Sequence, residues 1–214
     1  HAPGDVLPPS YLAQGELTKK DLAAYYDEIA RFDTYVGLIF DELEKQNVAD
    51  NTFIIIMADN GRPFPHSKTR VNDRGLKSPF IIYWPEGIGT ETKVCNSLVS
   101  SIDIAATILS LAGLEIPESI QGVSFEKLLK NPAVAFRNYI FAEHNWHDYE
   151  AHERMVRTKD FLYILNSRPQ FPQMGPADAS GSLSFLELDS LRKNGSLSKN
   201  QSDIFIAPRA TEEL

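Results

Sequence analysis

The sequence predicts an α/β protein: the later part of a doubly wound, mixed or parallel sheet with helices on both faces, followed by a small antiparallel α+β subdomain. Three features predict this class. A long amphipathic helical pattern precedes an apolar run of strand length, a second apolar run and a second helix follow, and the pattern then changes to short strands. We expect the α/β unit to cover residues 1–136 and an incomplete subdomain to cover residues 137–214.

The first two elements of the α/β unit are a helix and a strand. Apolar residues recur at helical spacing from Leu22 to Leu43, behind a capping-box-like pair formed by Thr18 and Asp21. Residues 52–57 then form a continuous, β-branched apolar run. Such a run is typical of a strand that is buried on both faces in the middle of a parallel sheet.

A second strand and a second helix complete this unit. Residues 78–84 form another short apolar run, which Pro85 ends. A helical pattern follows from about Ser101 to Leu111, and Gly113 lies at a C′-like position behind it. The order helix, strand, strand, helix indicates the later part of a layered α/β domain.

Short strands predict the subdomain. They lie at residues 139–141, 154–157 and 161–165. Lys159 and Asp160 predict a tight turn between the last two, as in an antiparallel meander. Beyond Ser167 the chain is rich in Pro, Gly, Ser and Asn as far as Asn200, which predicts an extended surface connection with one helical patch near residues 183–191.

The composition excludes some partners. The formal net charge of −8 argues against a general nucleic-acid binder, because such proteins carry excess Lys and Arg along one face. An anionic ligand must therefore be met by local positive charge. No apolar stretch approaches the length that crosses a bilayer, so we expect no membrane span.

A carboxylate and an amide follow the first apolar run directly, as Asp59 and Asn60 before Gly61. In open α/β sheets, ligands bind at the carboxyl ends of the strands. Side-chain oxygens are the ligands that hard cations such as calcium or magnesium prefer. The same tripeptide is also a common turn former, so a plain turn is the alternative.

An unusually basic loop follows in this acidic protein. Its cationic or titratable residues are Arg62, His66, Lys68, Arg70, Arg74 and Lys77. Cations hold a sulfate or phosphate and neutralise charge that develops on its oxygens, so the loop predicts an anion pocket. A solvated charged loop is the alternative for any one of these residues.

Residues 55–61, followed by Lys68 and by residues 79–85, resemble the second signature region of the sulfatase family in the alkaline phosphatase superfamily. The helical segments on either side resemble the family's flanking helices, in the expected order. Residues 59–65 and the opening residues 5–9 are similar to the heparan N-sulfatase subgroup. The resemblance implies a hydrolase of sulfate esters or sulfamates that acts on sulfated glycosaminoglycan-type sugars outside the cytoplasm.

The resemblance also implies a cofactor set. Asp59 and Asn60 would be metal ligands for Ca²⁺, with Mg²⁺ as the alternative, and Lys68 would be a catalytic residue that contacts the sulfate. The family's nucleophile is a formylglycine made in a Cys/Ser-x-Pro-x-Arg motif. This sequence has no such motif, since Cys95 is followed by Asn-Ser-Leu. We therefore expect a fragment that is inactive alone.

A histidine-rich segment follows a predicted strand of the subdomain. In residues 143–148, His144 and His147 flank Trp146, where a loop could meet a sugar by stacking and hydrogen bonding. By resemblance this loop contributes to substrate recognition; a surface loop anchored by its Trp is the alternative. We expect substrate-binding roles for His144 and His147, together with His66 and Arg70 of the basic loop. The expected partner is a sulfated oligosaccharide, and a homodimer is possible.

Other functions stay open at this point. An O-sulfatase of the arylsulfatase or glucosamine-6-sulfatase type is one. A phosphoesterase of the same superfamily is another, but it would require several His and Asp ligands, and His66 is alone in the metal region. A non-catalytic sugar-binding module that kept only the anion pocket is the third.

Overall fold

The computed structural model describes residues 1–173 and 175–214, and its first long element is the predicted helix. This helix, α1, spans Glu16–Lys45 and follows a single 3₁₀ turn at Pro3–Asp5. The amphipathic helix predicted from the apolar spacing is confirmed. Within the described ranges, no helix is both long enough and apolar enough to cross a membrane.

A core lies under the first turns of α1. It forms against α7, which spans Leu183–Lys193. Leu22 of α1 and Leu188 of α7 are buried there in one cluster with Phe64 and Ile204. The core therefore combines residues from both sides of the predicted boundary after residue 136, and that boundary stays a prediction.

The two helices also cap each other. The Glu187 carboxylate accepts a hydrogen bond from the backbone N–H of Thr18 at 2.9 Å, and the Asp21 carboxylate accepts one from the N–H of Ser184 at 2.9 Å. The predicted capping box at Thr18 and Asp21 is thus wrong. α1 begins earlier, with Gly15 as N-cap and no side-chain cap of its own, because a distant carboxylate takes over that role.

The first sheet has two strands, β1 at Ile54–Met57 and β2 at Phe80–Tyr83. They pair antiparallel, with Ile55 opposite Ile82. The mixed α/β class is confirmed, but β1 does not lie between parallel neighbours within the described chain, and its residues are half-buried or exposed. The physical reason is that each face is covered only in part: Phe40 of α1 meets Tyr83 edge to face at 4.9 Å, and Phe125 meets Phe80 at 5.8 Å on the other face.

Short helices surround this sheet. They are α2 at Asp73–Leu76, α3 at Pro85–Ile88, α4 at Asp103–Leu111 and α5 at Glu126–Lys130. The predicted stop of α4 is confirmed: Gly113 has φ of 69°, and the N–H of Leu114 donates to the carbonyl of Leu109. Asp103 at the start of α4 is fully buried and pairs with Arg137, which ties α4 to the start of the second sheet.

The second sheet is an antiparallel meander. Its strands are β3 at Tyr139–Trp146, β4 at Glu150–Thr158, β5 at Leu162–Asn166 and β6 at Glu212–Glu213, in that spatial order. The predicted turn after Thr158 is confirmed, since the N–H of Thr158 donates to the carbonyl of Phe161 at 2.8 Å. Val71 of the basic loop packs in one cluster with Met155 and Ile164, so this loop is anchored on the sheet.

The segment beyond Ser167 is more helical than the prediction of an extended connection. It contains α6 at Ala177–Ser180, then α7, then α8 at Lys199–Ser202 and a 3₁₀ turn at Asp203–Phe205. Serine residues cap α7 and α8, as Ser182 accepts from the N–H of Phe185 and Ser198 forms a capping box with Gln201. These local caps allow a Ser-rich sequence to be helical.

Candidate functional site

A cleft of about 380 Å³ opens beside the turn between β3 and β4. Its apolar walls are Tyr149, Phe171, Pro172 and Pro176. Its polar walls are Arg70, His144, His147, Asp148, Glu150, Glu153, Arg168 and Arg209. Flat apolar surfaces beside convergent polar groups are typical of a small-molecule site. Three of the predicted substrate-binding residues, Arg70, His144 and His147, therefore share one cleft.

Glu153 is the buried centre of the polar wall. Its side chain is 1% exposed, on the same face of β4 as the buried Met155. One carboxylate oxygen accepts from Arg209 at 2.5 Å, and the other lies 3.4 Å from Nδ1 of His144. Burial alone would raise the pKa of Glu153, but hydrogen bonds from His144 and Arg209 and the charges of Arg209 and Arg70 outweigh it and lower the pKa to about 2.

Arg70 lies in the wall as a buried cation. Burial lowers the pKa of its guanidinium to about 10, while the negative charge of Glu153 opposes that shift. Arg70 is therefore protonated at neutral pH. It reaches the cleft because Val71, the next residue, is anchored on the second sheet.

The two histidines face different surroundings. His144 lies on β3 itself and not in a loop, because the strand continues through Trp146. Its Nε2 atom is buried and has no hydrogen-bond partner among the described residues. His147 lies in the turn, with Nδ1 at 3.3 Å from Asp148. Since Nδ1 of His144 lies beside Glu153, Nε2 is the ring nitrogen that is left without a partner among the described residues.

Lys68 lies two residues before Arg70 and is paired with a residue of a distant segment. Its ammonium donates to Oδ2 of Asp178 on α6 at 2.6 Å, and the Lys68 side chain is 21% exposed. This hydrogen bond lowers the pKa of the Asp178 carboxyl. A partly exposed ammonium therefore lies next to the residues of the cleft wall.

His66 does not line the cleft. Its imidazole is buried, with Nδ1 at 2.6 Å from Asp203 and its ring edge against Tyr11. Its backbone has φ of 69°, a conformation that side-chain-bearing residues adopt in tight turns. The structure thus places this predicted substrate-binding residue behind the basic loop.

Asp59 and Asn60 lie just beyond the end of β1, as predicted. Asp59 is exposed and Asn60 is half-buried. The chain then turns at Gly61, whose N–H donates to Gly75 at 2.8 Å and where a Cβ would collide with Arg74. The loop folds back so that the N–H of Lys68 donates to the carbonyl of Arg62 at 3.1 Å. The lysine backbone thus comes close to the Asp-Asn end of β1.

The predicted metal ligands form an incomplete set. In the part of the chain that the structure describes, no group of three or more His, Cys, Asp or Glu side chains could hold a metal ion. Asp59 and Asn60 offer oxygen ligands, which fit a hard cation, but calcium takes about six to eight such ligands. The residues present fit calcium in kind and supply only part of its coordination.

Sequence reasoning missed four residues that hold this site together, namely Glu153, Asp178, Asp203 and Arg209. Three of them contact a predicted site residue. Asp178 contacts Lys68 and Asp203 contacts His66 over long sequence separations, and Glu153 contacts His144 from the neighbouring strand. One signal was available. Glu153 lies directly before the strand predicted at residues 154–157 and two residues from the apolar Met155, so an extension of that strand by one residue places its carboxylate on the inward face.

Comparison with family models gives two overlapping matches. The model of the sulfatase family matches residues 1–114. The model described as N-sulphoglucosamine sulphohydrolase, C-terminal, matches residues 66–166, which include the basic loop from His66 onward and most of the cleft wall.

Individual proteins agree with these matches. An ulvan-active sulfatase of Formosa agariphila is 35% identical over 208 residues, which cover 96% of this chain and 34% of that protein. N-sulphoglucosamine sulphohydrolase of Homo sapiens is 34% identical over 115 residues, covering 54% of this chain and 23% of that protein. A solved structure of a 2-O GAG sulfatase shares the fold, with a TM-score of 0.63 and 22% identity over 74% of this chain and 36% of that one. The chain thus spans about a third of the length of the first of these relatives.

Proposed function

Because the chain belongs to the sulfatase family, we propose that it is part of an enzyme that hydrolyses the sulfate group of a sulfated sugar. One observation carries this proposal: the loop that starts at Asp59 and Asn60 continues through Lys68 into the wall of the cleft at Arg70. The two proposed ligands of a hard cation, the ammonium group of Lys68 and a sugar-sized cleft are thereby connected within twelve residues of chain.

The residues would divide the work as follows. Lys68 would contact the sulfate oxygens and stabilise the charge that develops on them. Asp59 and Asn60 would hold a calcium ion, or magnesium, as two of its oxygen ligands. When bound, that ion supplies further positive charge beside the sulfate.

The nucleophile would come from another segment of the protein. None of the 214 residues belongs to a Cys/Ser-x-Pro-x-Arg motif, from which the formylglycine of the family is made. We therefore propose that this chain is inactive alone. The complete enzyme would consist of this chain together with the segment that carries the nucleophile.

The cleft would bind the sugar. Phe171 and Tyr149 offer ring faces for stacking, and His144, His147 and Arg70 offer hydrogen bonds to hydroxyl or anionic groups. His66 would act indirectly, because it is buried against Asp203 and holds the loop in shape.

The substrate we favour is an N-sulfated glucosamine. This choice is supported by the match of residues 66–166 to the C-terminal model of N-sulphoglucosamine sulphohydrolase, since that range includes most of the cleft wall. A second candidate is a sulfate ester of ulvan. It is favoured by the ulvan-active relative, whose alignment covers 96% of this chain.

Sulfate release by the complete enzyme tests both candidates. The substrates are an N-sulfated glucosamine disaccharide, its 6-O-sulfated isomer, ulvan oligosaccharides and a phosphate monoester. We expect sulfate release from the N-sulfated disaccharide and little turnover of the phosphate ester. Release from the ulvan oligosaccharides instead would support the second candidate. Faster turnover of the phosphate ester would identify a phosphoesterase, and binding without release would identify a sugar-binding module.

The role of Lys68 is tested in the same assay. Lys68→Gln should lower kcat/KM by about 100-fold or more, because a cation beside the reacting oxygens is lost. The matched control is Lys159→Gln in the exposed turn at the far end of β4, which should leave kcat/KM within about twofold. A native-like Lys68→Gln enzyme would contradict the proposed role.

We also propose an extracytoplasmic location, because sulfated glycans are met outside the cytosol. Cell fractionation with a cytosolic marker tests it, and recovery in the cytosolic fraction would contradict it. A homodimer stays a prediction, which sedimentation velocity of the complete enzyme would check.

A further inference from the structure

The ammonium of Lys68 forms an ion pair with a residue that is distant in the sequence. Its partner Asp178 is 110 residues away, and the Nζ to Oδ2 distance is 2.6 Å. The basic loop has other exposed cations, among them Arg62 and Lys77, yet the contact with α6 is made by Lys68. This selectivity makes the pair a candidate for a functional contact.

Asp178 lies on α6, a single helical turn that hydrogen bonds hold in place. The neighbouring Ala179 is buried, and the N–H of Ala177 donates to the carboxylate of Asp148 at 2.6 Å. The hydroxyl of Ser180 donates to the carbonyl of Pro176 at 3.2 Å. The backbone at Asp178 is therefore braced against two residues that line the cleft, Asp148 and Pro176. The exposed Asp178 carboxylate itself accepts a hydrogen bond from the N–H of Ala179 at 2.8 Å.

A lysine gains from such a fixed partner. Its four-carbon side chain is flexible, and ordering it costs up to about 2 kcal/mol of side-chain entropy. An ammonium group has three N–H donors, so one hydrogen bond to Asp178 leaves two donors for the oxygens of a sulfate. Asp178 can thus orient the ammonium without blocking it.

We propose that Asp178 is a positioning residue that holds Lys68 ready for the sulfate group at the edge of the cleft. This inference rests on the proposed function, because it assumes that Lys68 meets a sulfate. It adds that the start of α6 links the two halves of recognition: Pro176, the residue before the helix, lines the sugar cleft, and Asp178 in the helix orients the ammonium that binds sulfate.

The experiment is a double-mutant cycle in the complete enzyme. Asp178→Asn should lower kcat/KM on the sulfated sugar about tenfold, because the ammonium loses its fixed position, and Asp178→Glu should restore it to within about threefold. In the Lys68→Gln background, Asp178→Asn should change kcat/KM by less than about twofold, because Asp178 acts only through that lysine. Asp160→Asn in the exposed turn beyond β4 is the matched control and should behave as the native enzyme.

Inorganic sulfate provides a readout that does not require turnover. Its Kd should rise about tenfold in Asp178→Asn and stay unchanged when the same substitution is added to Lys68→Gln. The melting temperature should change little in every variant, since a partly exposed ion pair contributes little to folding.

The outcomes separate this inference from the proposed function. A native-like Lys68→Gln enzyme removes the lysine from the mechanism, whatever Asp178 does. If Lys68→Gln is impaired, a native-like or faster Asp178→Asn enzyme overturns the positioning role alone. An equal loss from Asp178→Asn with and without Lys68 overturns it as well, because the carboxylate would then act by another route.

Discussion

The two sheets differ in how completely the described chain covers them. In the sheet of β3 to β6, Glu153 is 1% exposed although it carries a charge. In the sheet of β1 and β2, Ile81 is 56% exposed although it is apolar. A buried charge is stable only when paired, and Arg209, Arg70 and His144 supply those partners from within the chain. The difference teaches that the described residues pair the buried charge of the cleft, whereas they cover β1 and β2 only in part.

The largest expected effect comes from breaking the polar network. Glu153→Ala removes a buried carboxylate that pairs with Arg209 and whose charge acts on Arg70, and it leaves Arg209 paired with Glu213 alone among the described carboxylates. It should destabilise the chain by about 3–5 kcal/mol. Urea unfolding followed by tryptophan fluorescence measures the loss. The control is Glu143→Ala, since Glu143 is 61% exposed and its ion pair with Arg154 should contribute less than about 1 kcal/mol. Equal losses would contradict the contrast between buried and exposed pairs.

The free energy of unfolding should depend on pH through the carboxylate of Glu153. The folded pKa of Glu153 is lowered to about 2 from an ordinary value of 4.5, so its contribution is fully present above pH 4.5 and is lost as the pH falls from there toward 2. That contribution is roughly 3 kcal/mol. Denaturation curves between pH 6 and pH 2.5 measure it. Glu153→Gln should flatten this part of the curve, and an unchanged slope would assign the acid sensitivity to other groups.

A smaller effect is expected from His144, which lies beside the Glu153 carboxylate. His144→Ala removes the imidazole whose Nε2 has no partner among the described residues, and it should raise KM of the complete enzyme about tenfold with kcat nearly unchanged. Steady-state kinetics on the sulfated sugar measure both constants. Glu143→Ala again serves as the neighbouring control. A fall in kcat at constant KM would instead indicate a role in the chemical step.

The smallest effect is expected in the first sheet. Ile81→Ala in this chain should cost less than about 1 kcal/mol, because little of that side chain is buried. Ile164→Ala on β5 is the matched comparison and should cost about 2–5 kcal/mol, because Ile164 is packed against Val71 and Met155. Thermal unfolding of both variants compares the sheets directly. A large loss at Ile81 would mean that β2 is better covered than its exposure indicates.

Local patterns carried most of the fold. The helical spacing between Leu22 and Leu43 predicted α1, and the Ser-rich stretch with its short apolar patch contained α7. Gly113 marked the end of α4 correctly, because its left-handed backbone is a local requirement. The burial of β1 was not predictable in the same way, since a continuous apolar run says which residues prefer burial and not which element covers them.

The candidate site was predictable to a similar degree. Arg70, His144 and His147 were each proposed from the residue types around them, and the fold brings them to one cleft. Asp178 and Arg209 lie in stretches without a motif, and their roles depend on contacts that only folding creates. The roles of Asp59, Asn60 and Lys68 stay predictions, and Lys68→Gln tests the last of them.

The mutual capping of α1 and α7 links two distant parts of the chain by hydrogen bonds. The hydrogen bonds from Thr18 to Glu187 and from Ser184 to Asp21 bridge 169 and 163 positions of sequence. A peptide-bond cleavage between the two helices would therefore not release either piece at once. Nicked protein should elute intact from a sizing column and separate into fragments only after denaturation, so electrophoresis alone would overstate the damage.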